Sequence, residues 1–432
     1  MPRKSTVLVV GGGISGIQAS LDLANRGIKV CLVETSPSIG GRMAQLDKTF
    51  PTMDCSICIL APKMIECAHH PDVQLFAYSE LKEVEGSAGN FVVKILKKPR
   101  YVDETKCTGC GICAEHCPSE VPNEFDMNFG VRKAIYLPFP QAVPRVMTVD
   151  KENCLNCGLC EKVCGAHAVD LDQRAEEIEL NVGSIILATG FDLFDPSGIP
   201  AYGYGRYKDV ITSLELERLL CASGPTGGHL VRPSDGKIPK SVAFIQCVGS
   251  RDKRLGTAYC SSICCKYSIK DAVLIKEHTP DARVNIFYID MRAFGRGFQD
   301  FVNRAKTEYG ISFIRSSPGE ITQDPAEKNL TLWFEDIATK SVQKLNFDLV
   351  VLCPALLPSK GNEKLAELLG IEVDKYGFFK APNPIANPVD TTVSGIFASG
   401  YCLGPKTGDI PDSITQGSAT AARVAEVLAE AS

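Results

Sequence analysis

No stretch of this chain approaches the ~20 consecutive apolar residues that a membrane-spanning helix requires, and no low-complexity tract interrupts it. Charge of neither sign dominates. There are 46 Lys and Arg against 51 Asp and Glu, a net charge of −5, so a basic footprint for nucleic acid or an anionic membrane is missing. The opening Met1-Pro2-Arg3-Lys4 runs straight into the apolar segment Thr6–Val10, which is too short for the hydrophobic region of a secretory signal. These absences lead us to expect a cytoplasmic protein with no direct membrane span and no nucleic-acid partner. Cysteine, by contrast, is abundant, with nineteen in 432 residues. Disulfide scaffolds are normally short and exported, so the expectation is metal clusters and thiol redox chemistry in a reducing compartment. The length allows two or three domains with sizeable cores.

Composition and periodicity divide the chain into five segments. Residues 1–100 open with strand, glycine turn and helix. Residues 101–175 shift to cysteine, proline and glycine, which marks a small inserted domain. In 176–215 the run Ile178–Ile186 reads as returning strands ending at Leu187-Ala188-Thr189-Gly190. Residues 216–345 form a second α/β stretch with strand-like Ser241–Gln246 and Val284–Ile289. Residues 346–432 hold a buried strand at Leu349–Leu352, a proline-rich loop, the segment Gly395–Gly400 and a last helix over Ile414–Ala429.

Val7–Val10 is followed by Gly11-Gly12-Gly13-Ile14-Ser15-Gly16, a G-x-G-x-x-G turn between strand and helix. Gly11 permits the tight turn, Gly13 lets the backbone approach a pyrophosphate, and Gly16 lets the helix pack on the strand. The phosphates then lie on a helix N-terminus, whose free N–H groups favour anions. Glu34, at the end of the strand Lys29–Val33, is placed to accept a hydrogen bond from a ribose hydroxyl. This fingerprint serves NAD and FAD alike. Further along stand Gly40-Gly41-Arg42, Ala188-Thr189-Gly190 and Phe397-Ala398-Ser399-Gly400. Together with the fingerprint they resemble the flavoproteins with two dinucleotide-binding domains, in which such segments wrap FAD. Those flavoproteins usually carry Asp after the last glycine, where this chain has Tyr401. Asp409 or Asp412 is then the candidate for the ribityl contact. The N-terminus of the last helix, at Ile410-Pro411-Asp412-Ser413, is placed to stabilise negative charge on a reduced flavin.

Within the insert, Cys107-x2-Cys110-x2-Cys113-x3-Cys117 recurs as Cys154-x2-Cys157-x2-Cys160-x3-Cys164. In this arrangement three closely spaced thiolates hold one [4Fe–4S] cubane while the fourth reaches across to the other. One cluster is therefore expected on Cys107, Cys110, Cys113 and Cys164, and the second on Cys154, Cys157, Cys160 and Cys117. Paired zinc ribbons are the alternative for the same thiolates. Two neighbouring cubanes conduct electrons and do no bond chemistry.

The second α/β stretch should carry its own glycine fingerprint if it bound NAD(P)H. Its strand Ser241–Gln246 leads instead into Cys247-Val248-Gly249-Ser250-Arg251, with cysteine and valine where a pyrophosphate would need glycine. Cys260, Cys264 and Cys265 follow. With Cys247 they form a four-thiolate set that fits a third [4Fe–4S] cluster, with buried structural cysteines or a dithiol pair as the alternatives.

Gly11–Gly16, Pro51–Lys63 with Cys55 and Cys58, the two-cluster insert, Gln246–Asp252, Tyr259–Cys265 and Ile410–Gly417 together resemble the heterodisulfide reductase A-subunit family along essentially the whole chain. The resemblance implies an α/β fold. It is a thioredoxin-reductase-like, two-dinucleotide-binding-domain flavoprotein with an inserted two-[4Fe-4S] ferredoxin domain. It further implies FAD, a cluster on Cys247, Cys260, Cys264 and Cys265, and a Lys270 placed near the flavin N5 to tune its potential. The expected function is an electron-transfer subunit that converts two-electron flavin chemistry to one-electron cluster transfer, with electron bifurcation as in the larger methanogen members. Expected partners are B- and C-type subunits or a related electron-transfer complex, and a homodimer of the flavin subunit is an allowed assembly. For Cys55 and Cys58, with Cys67 downstream, three readings stay open: a flavin-side dithiol, a loop bound by a partner or cluster, or packing. The competing functions are a flavin-dependent disulfide reductase using Cys55 and Cys58, and the flavin subunit of a quinone-interacting, membrane-linked oxidoreductase. Cys31 and Cys353 read as strand-core residues.

Overall fold

The computed structural model describes residues 6–325, 328–337, 339–405 and 408–430. The chain divides into two compact units. One comprises Met1–Ala44, Ile57–Phe191 and Pro358–Ser432; the other comprises Gln45–Ser56 and Asp192–Leu357.

In the first unit, five parallel strands lie in the order Ile396–Ala398, Ser184–Leu187, Thr6–Val10, Lys29–Glu34 and Val73–Ala77. Val7, Leu8 and Val9 are fully buried, as expected for a parallel strand covered on both faces, which reads as an unbroken apolar run. The helices Ile14–Ala24 and Ile410–Glu430 pack together on this sheet. The last helix starts four residues before the expected Ile414. The Asp409 carboxylate accepts the Asp412 N–H at 2.9 Å, and Pro411 has no N–H to lose in a first turn. The expected run Ile178–Ile186 is two strands, Glu176–Val182 and Ser184–Leu187. Cys31 and Cys353 lie buried in strands, and burial pushes the Cys31 thiol up to about 11.

A three-stranded antiparallel sheet, Ser79–Ser87, Asn90–Lys97 and Glu176–Val182, completes the first unit's frame. Lys97 lies opposite Glu176, so the cysteine-rich insert leaves and re-enters through two adjacent, paired strands. Its own core is small: Val102, Ile135, Val146, Met147, Val149 and Ala168 around Cys113 and Cys160. Phe139, Ala142 and Val143 of the insert pack into the main core of the unit, and polar contacts add to this. Arg100, 1% exposed, donates from Nη2 to the Pro37 carbonyl at 2.7 Å, from Nη1 to the Thr148 hydroxyl at 3.1 Å and from Nε to Glu104 at 2.6 Å. Beside it the Val143 carbonyl accepts the Ile39 N–H at 2.9 Å, and the Ser38 hydroxyl accepts the Val143 N–H at 2.8 Å. The insert is thus tied to the loop that follows Glu34.

The second unit repeats the plan. Val210–Thr212, Leu349–Pro354, Ser241–Val248, Arg283–Tyr288 and Ser312–Arg315 form a five-stranded parallel sheet, with Glu320–Gln323, Leu330–Asp336 and Ser341–Phe347 as an antiparallel meander. Among the described residues no helix is long and apolar enough to cross a membrane.

Replacing Arg100 with Ala leaves the Pro37 carbonyl and the Thr148 hydroxyl without their donor. The expected loss is on the order of 3 kcal/mol, read as a lowered urea midpoint. Arg100→Lys should recover only part, because a single ammonium cannot reproduce a planar fork to three acceptors. An unchanged midpoint for Arg100→Ala would show that the insert docks without this guanidinium.

Candidate functional site

The glycine turn after Thr6–Val10 is built by close approach. A side chain at Gly11 (φ +112°) would collide with the Ala188 carbonyl, and one at Gly16 would collide with the Gly11 carbonyl. A Cβ on Gly41 (φ +56°) would lie 2.9 Å from the Gly13 Cα. Gly13 differs: nothing stands within 4 Å of the place its Cβ would occupy. It caps the helix Ile14–Ala24 in an extended conformation with no side-chain hydrogen bond to the first turn. The open space at Gly13 and the uncapped N–H groups beyond it form a cradle that suits a pyrophosphate. The Glu34 Oε2 accepts the Gly12 N–H at 2.7 Å, while Oε1 accepts the Ser36 N–H and hydroxyl at 2.8 and 2.7 Å. The carboxylate therefore braces the turn at the edge where a ribose would sit. Arg42 lies in the short 3-10 helix Gly41–Gln45 that follows.

Elements distant in sequence close this cradle. The Ser15 hydroxyl meets the Ser399 hydroxyl at 2.6 Å, and the Gly400 N–H donates to Gln416 at 2.6 Å. The Thr189 hydroxyl, beside Gly190 (φ +68°), donates to Asn362 at 2.7 Å. Tyr401, in place of the acid usual at this position, is buried between Phe191 and Phe378, with ring centroids at 5.2 and 5.9 Å. Asp412 and Ser413 lie in the first turn of Ile410–Glu430, with the Asp409 carboxylate accepting the Asp412 N–H.

The two halves of the insert are built alike. Gly109 and Asn156 both adopt left-handed φ, +64° and +51°, which turns their N–H groups onto the Cys107 and Cys154 sulfurs at 3.4 Å each. Gly111 and Gly158, also left-handed, then start the short helices Ile112–Glu115 and Leu159–Val163 that carry Cys113 and Cys160. Cys117, Cys154, Cys157 and Cys160 line one cavity with Ile135 and Leu171, so the thiols of the expected crossed set are brought together. Cys107, Cys113 and Cys164 lie in the insert's apolar cluster, which also holds Cys117, Cys154 and Cys160 of the first set, and Cys110 is exposed. Among the described residues no three His, Cys, Asp or Glu side chains gather as a single metal ion would require.

In the second unit the turn after Ser241–Val248 is not a dinucleotide turn. The strand runs on through Cys247 (φ +61°), and the next long helix begins only at Cys264. Gly249 is covered by the Phe194 ring, which would collide with any Cβ there. The glycine thus admits a side chain, leaving no room for a phosphate. Cys264 hydrogen-bonds with both Cys247 and Cys265. That contact lowers the Cys247 pKa and holds Cys265 down to about 7, while Cys264 itself rises. The fourth thiol, Cys260, accepts the N–H of Ser262 (φ +60°) at 3.4 Å, which repeats the N–H···S turn seen twice in the insert. Cys264 and Cys265 also begin the helix Cys264–His278, where the dipole favours thiolate, the ligand form.

Lys270 lies buried on the helix Cys264–His278. It is 1% exposed and ion-paired with Glu217 and, at 2.7 Å, with Asp271. Burial alone would drive its pKa down, but the Asp271 and Glu217 carboxylates overcome burial and raise it. Asp271, fully buried, is raised first by desolvation and then by Glu217. Cys55 and Cys58 are disulfide-bonded, at the start of the helix Ser56–His69, whereas Cys67 in that helix is a buried free thiol. Sequence reasoning missed Arg100, Glu217, Asp271 and Phe194. Only the adjacent Lys270-Asp271 pair, on a helix that also carries Lys266 one turn before, gave a signal.

Residues 6–54 match the family model described as FAD dependent oxidoreductase, and residues 106–169 match that of the 4Fe-4S dicluster domain. The chain therefore carries an FAD module and a 4Fe-4S module. It is 58% identical over 422 residues to the second iron–sulfur A-type polypeptide of the CoB–CoM heterodisulfide reductase of Methanopyrus kandleri, covering 98% of this chain and 64% of that protein. Identity to the corresponding A-type polypeptide of Methanocaldococcus jannaschii is 55%, with 98% and 64% covered. To that of the H2:CoB–CoM heterodisulfide, ferredoxin reductase of Methanothermobacter thermautotrophicus it is 53%, with 97% and 63% covered. The chain thus spans about 64% of the length of these first curated relatives. In fold it is similar to thioredoxin reductase of Lactococcus lactis, with a TM-score of 0.55 at 15% identity and 98% of this chain and 99% of that one covered.

Two outcomes test this geometry. Gly16→Ala, which sets a methyl against a backbone carbonyl, should cost about 3 kcal/mol in urea unfolding. Gly13→Ala should cost no more than about 1 kcal/mol yet weaken FAD binding in a fluorescence titration. Equal stability losses would show that Gly13 is structural. Lys270→Met, by stranding two buried carboxylates, should cost about 3–5 kcal/mol, and Lys270→Met with Asp271→Asn should regain part of it. If the single variant unfolds like the wild type, the ion pairs are not formed in solution.

Proposed function

We propose that the chain is a member of the heterodisulfide reductase A-subunit family, whose members it resembles along 98% of its own length. From that membership we propose that it is the FAD- and [4Fe–4S]-carrying electron-transfer subunit of a heterodisulfide-reductase-like complex. The single observation that carries the reading is the fastening of a two-cluster insert to the loop behind Glu34 by Arg100, Ser38 and Val143. In this reading FAD, when bound, supplies two-electron chemistry, and the clusters carry single electrons to or from it.

The chain's own residues do the positioning. Gly11, Gly13 and Gly16 admit the pyrophosphate, Glu34 takes the ribose, and Ser15, Gly41, Arg42, Thr189, Gly190, Gly400, Asp412 and Ser413 close around the cofactor. Cys107, Cys110, Cys113 and Cys164 hold one cluster, and Cys154, Cys157, Cys160 and Cys117 the second. Cys247, Cys260, Cys264 and Cys265 hold a third, supported by the N–H···S turn at Ser262. Lys270 supplies the cation that tunes the flavin, with Glu217 and Asp271 fixing its position. B- and C-type subunits are the partners this arrangement serves, and bifurcation is compatible with it. Entry of hydride from a nicotinamide is disfavoured by Phe194 on Gly249.

One observation favours a second reading, a flavin-dependent disulfide reductase: Cys55 and Cys58 are disulfide-bonded. Such a bond takes two electrons and two protons to give two thiols, which matches the capacity of one flavin. Stoichiometry and donor separate the two readings. Anaerobically purified protein should contain one FAD and about twelve irons per chain, and Cys260→Ala should lose about four irons and keep its FAD. Eight irons in the wild type would remove the third site. Rapid, saturable flavin reduction by NADH that is followed by appearance of two thiols would replace the first reading with the second.

A further inference from the structure

The thiols of Cys247, Cys260, Cys264 and Cys265 have a neighbour to which the proposed function gives no task. Arg251 follows Cys247 by four residues and adopts φ +60°, a conformation that a side chain of this size seldom takes. Its backbone N–H donates to the Tyr259 carbonyl at 2.8 Å, and the next residue, Asp252, bridges to Thr257. The loop is thereby folded back so that the Arg251 side chain lies near both Cys247 and Cys260. The guanidinium is anchored at one end, where Nη2 donates to Asp290 at 2.9 Å. Arg315 and Arg292 stand 3.5 and 3.9 Å from the same carboxylate, so Asp290 is balanced by more than one cation. The other end of the fork is different: Nη1 of Arg251 is buried and makes no hydrogen bond. The same guanidinium also hydrogen-bonds with the Cys247 thiol.

A buried guanidinium N–H without an acceptor is costly, and the acceptors this turn would offer are sulfurs. We infer that Nη1 of Arg251 donates to the cluster held by these four cysteines and that the guanidinium raises that cluster's reduction potential. The inference rests on the third-cluster reading given above. A cubane with four thiolates gains one negative charge on taking an electron. A fixed cation and an N–H···S hydrogen bond both stabilise the more negative state, the same effect by which hydrogen bonds to sulfur tune iron–sulfur potentials. Arginine stays protonated throughout the working pH range, so the bias is permanent. Asp290 keeps the fork aimed; Arg251 is a positioning and tuning residue and takes no part in bond chemistry.

The test uses the full chain, purified anaerobically and reconstituted with iron and sulfide. The third cluster's EPR signal is defined as the one missing from Cys260→Ala. In Arg251→Gln this signal should persist with wild-type iron and FAD content. Its electron affinity should weaken about tenfold or more, ~59 mV or more for a one-electron couple, and Arg251→Lys should restore part of the shift. A midpoint superimposed on the wild type overturns the inference while leaving the cluster in place. A wild-type protein with no Cys260-dependent signal overturns the cluster reading itself, and the inference with it. If Arg251→Gln fails to assemble, pulsed EPR of the wild type labelled with 15N-guanidino arginine decides instead. A nitrogen coupling to the third cluster supports the assignment, and its absence overturns it.

Discussion

A single buried guanidinium ties three parts of the first unit to one another. Arg100 reaches Pro37 in the loop behind Glu34, Thr148 in the insert and Glu104 at the insert's entrance. A buried cation is tolerated only when its donors are used, so the three contacts stand or fall together. The insert's own apolar core is slight, and its Phe139, Ala142 and Val143 are spent instead on the main core of the unit. Apolar packing of that kind is non-directional. The fork, with Ser38 and Val143 beside it, adds the directional bonds that fix the insert's orientation on the loop.

Much of this was legible in residues whose chemistry demands a spacing. The positions Gly11, Gly13 and Gly16 announce a cradle because each excludes a side chain for its own reason, and the structure separates those reasons: two glycines face carbonyls, and one faces open space. The doubled Cys-x2-Cys-x2-Cys-x3-Cys run announces a 4Fe-4S dicluster domain, the family model that residues 106–169 match. Residues whose role depends on a distant partner were not legible. Arg100 sits in no motif, and nothing in Gly249 says that Phe194 will cover it. The helix over Ile410–Glu430 was expected only from Ile414 because Pro411, two residues after Asp409, reads as loop until its position in the first turn is known.

The two units share a plan of five parallel strands and a three-stranded antiparallel sheet, yet the turn after Thr6–Val10 and the turn after Ser241–Val248 are built in opposite ways. In the first, a helix starts at once and its N–H groups face open space. In the second, Cys247 lies at the end of the strand, the long loop to the next helix holds Arg251 and Cys260, and that helix begins with Cys264 and Cys265. The helix start that favours negative charge carries thiols there, where the first unit offers it open space.

The helix Cys264–His278 carries a further consequence. Cys265 and Lys270 are five residues apart on it, roughly 7–8 Å along the axis at 1.5 Å per residue. From Cys264 to Ile275 nearly every side chain is buried, so the separation cannot drift. At one end, Cys264 hydrogen-bonds with Cys247 and Cys265; further along, an ammonium is held between Glu217 and Asp271. Burial and the Glu217 charge push the Asp271 carboxyl up, so the Lys270 ammonium is what makes two carboxylates tolerable in this interior. Charges this close in a poorly solvated helix are screened little by salt, and the cation and its two partners stand or fall together.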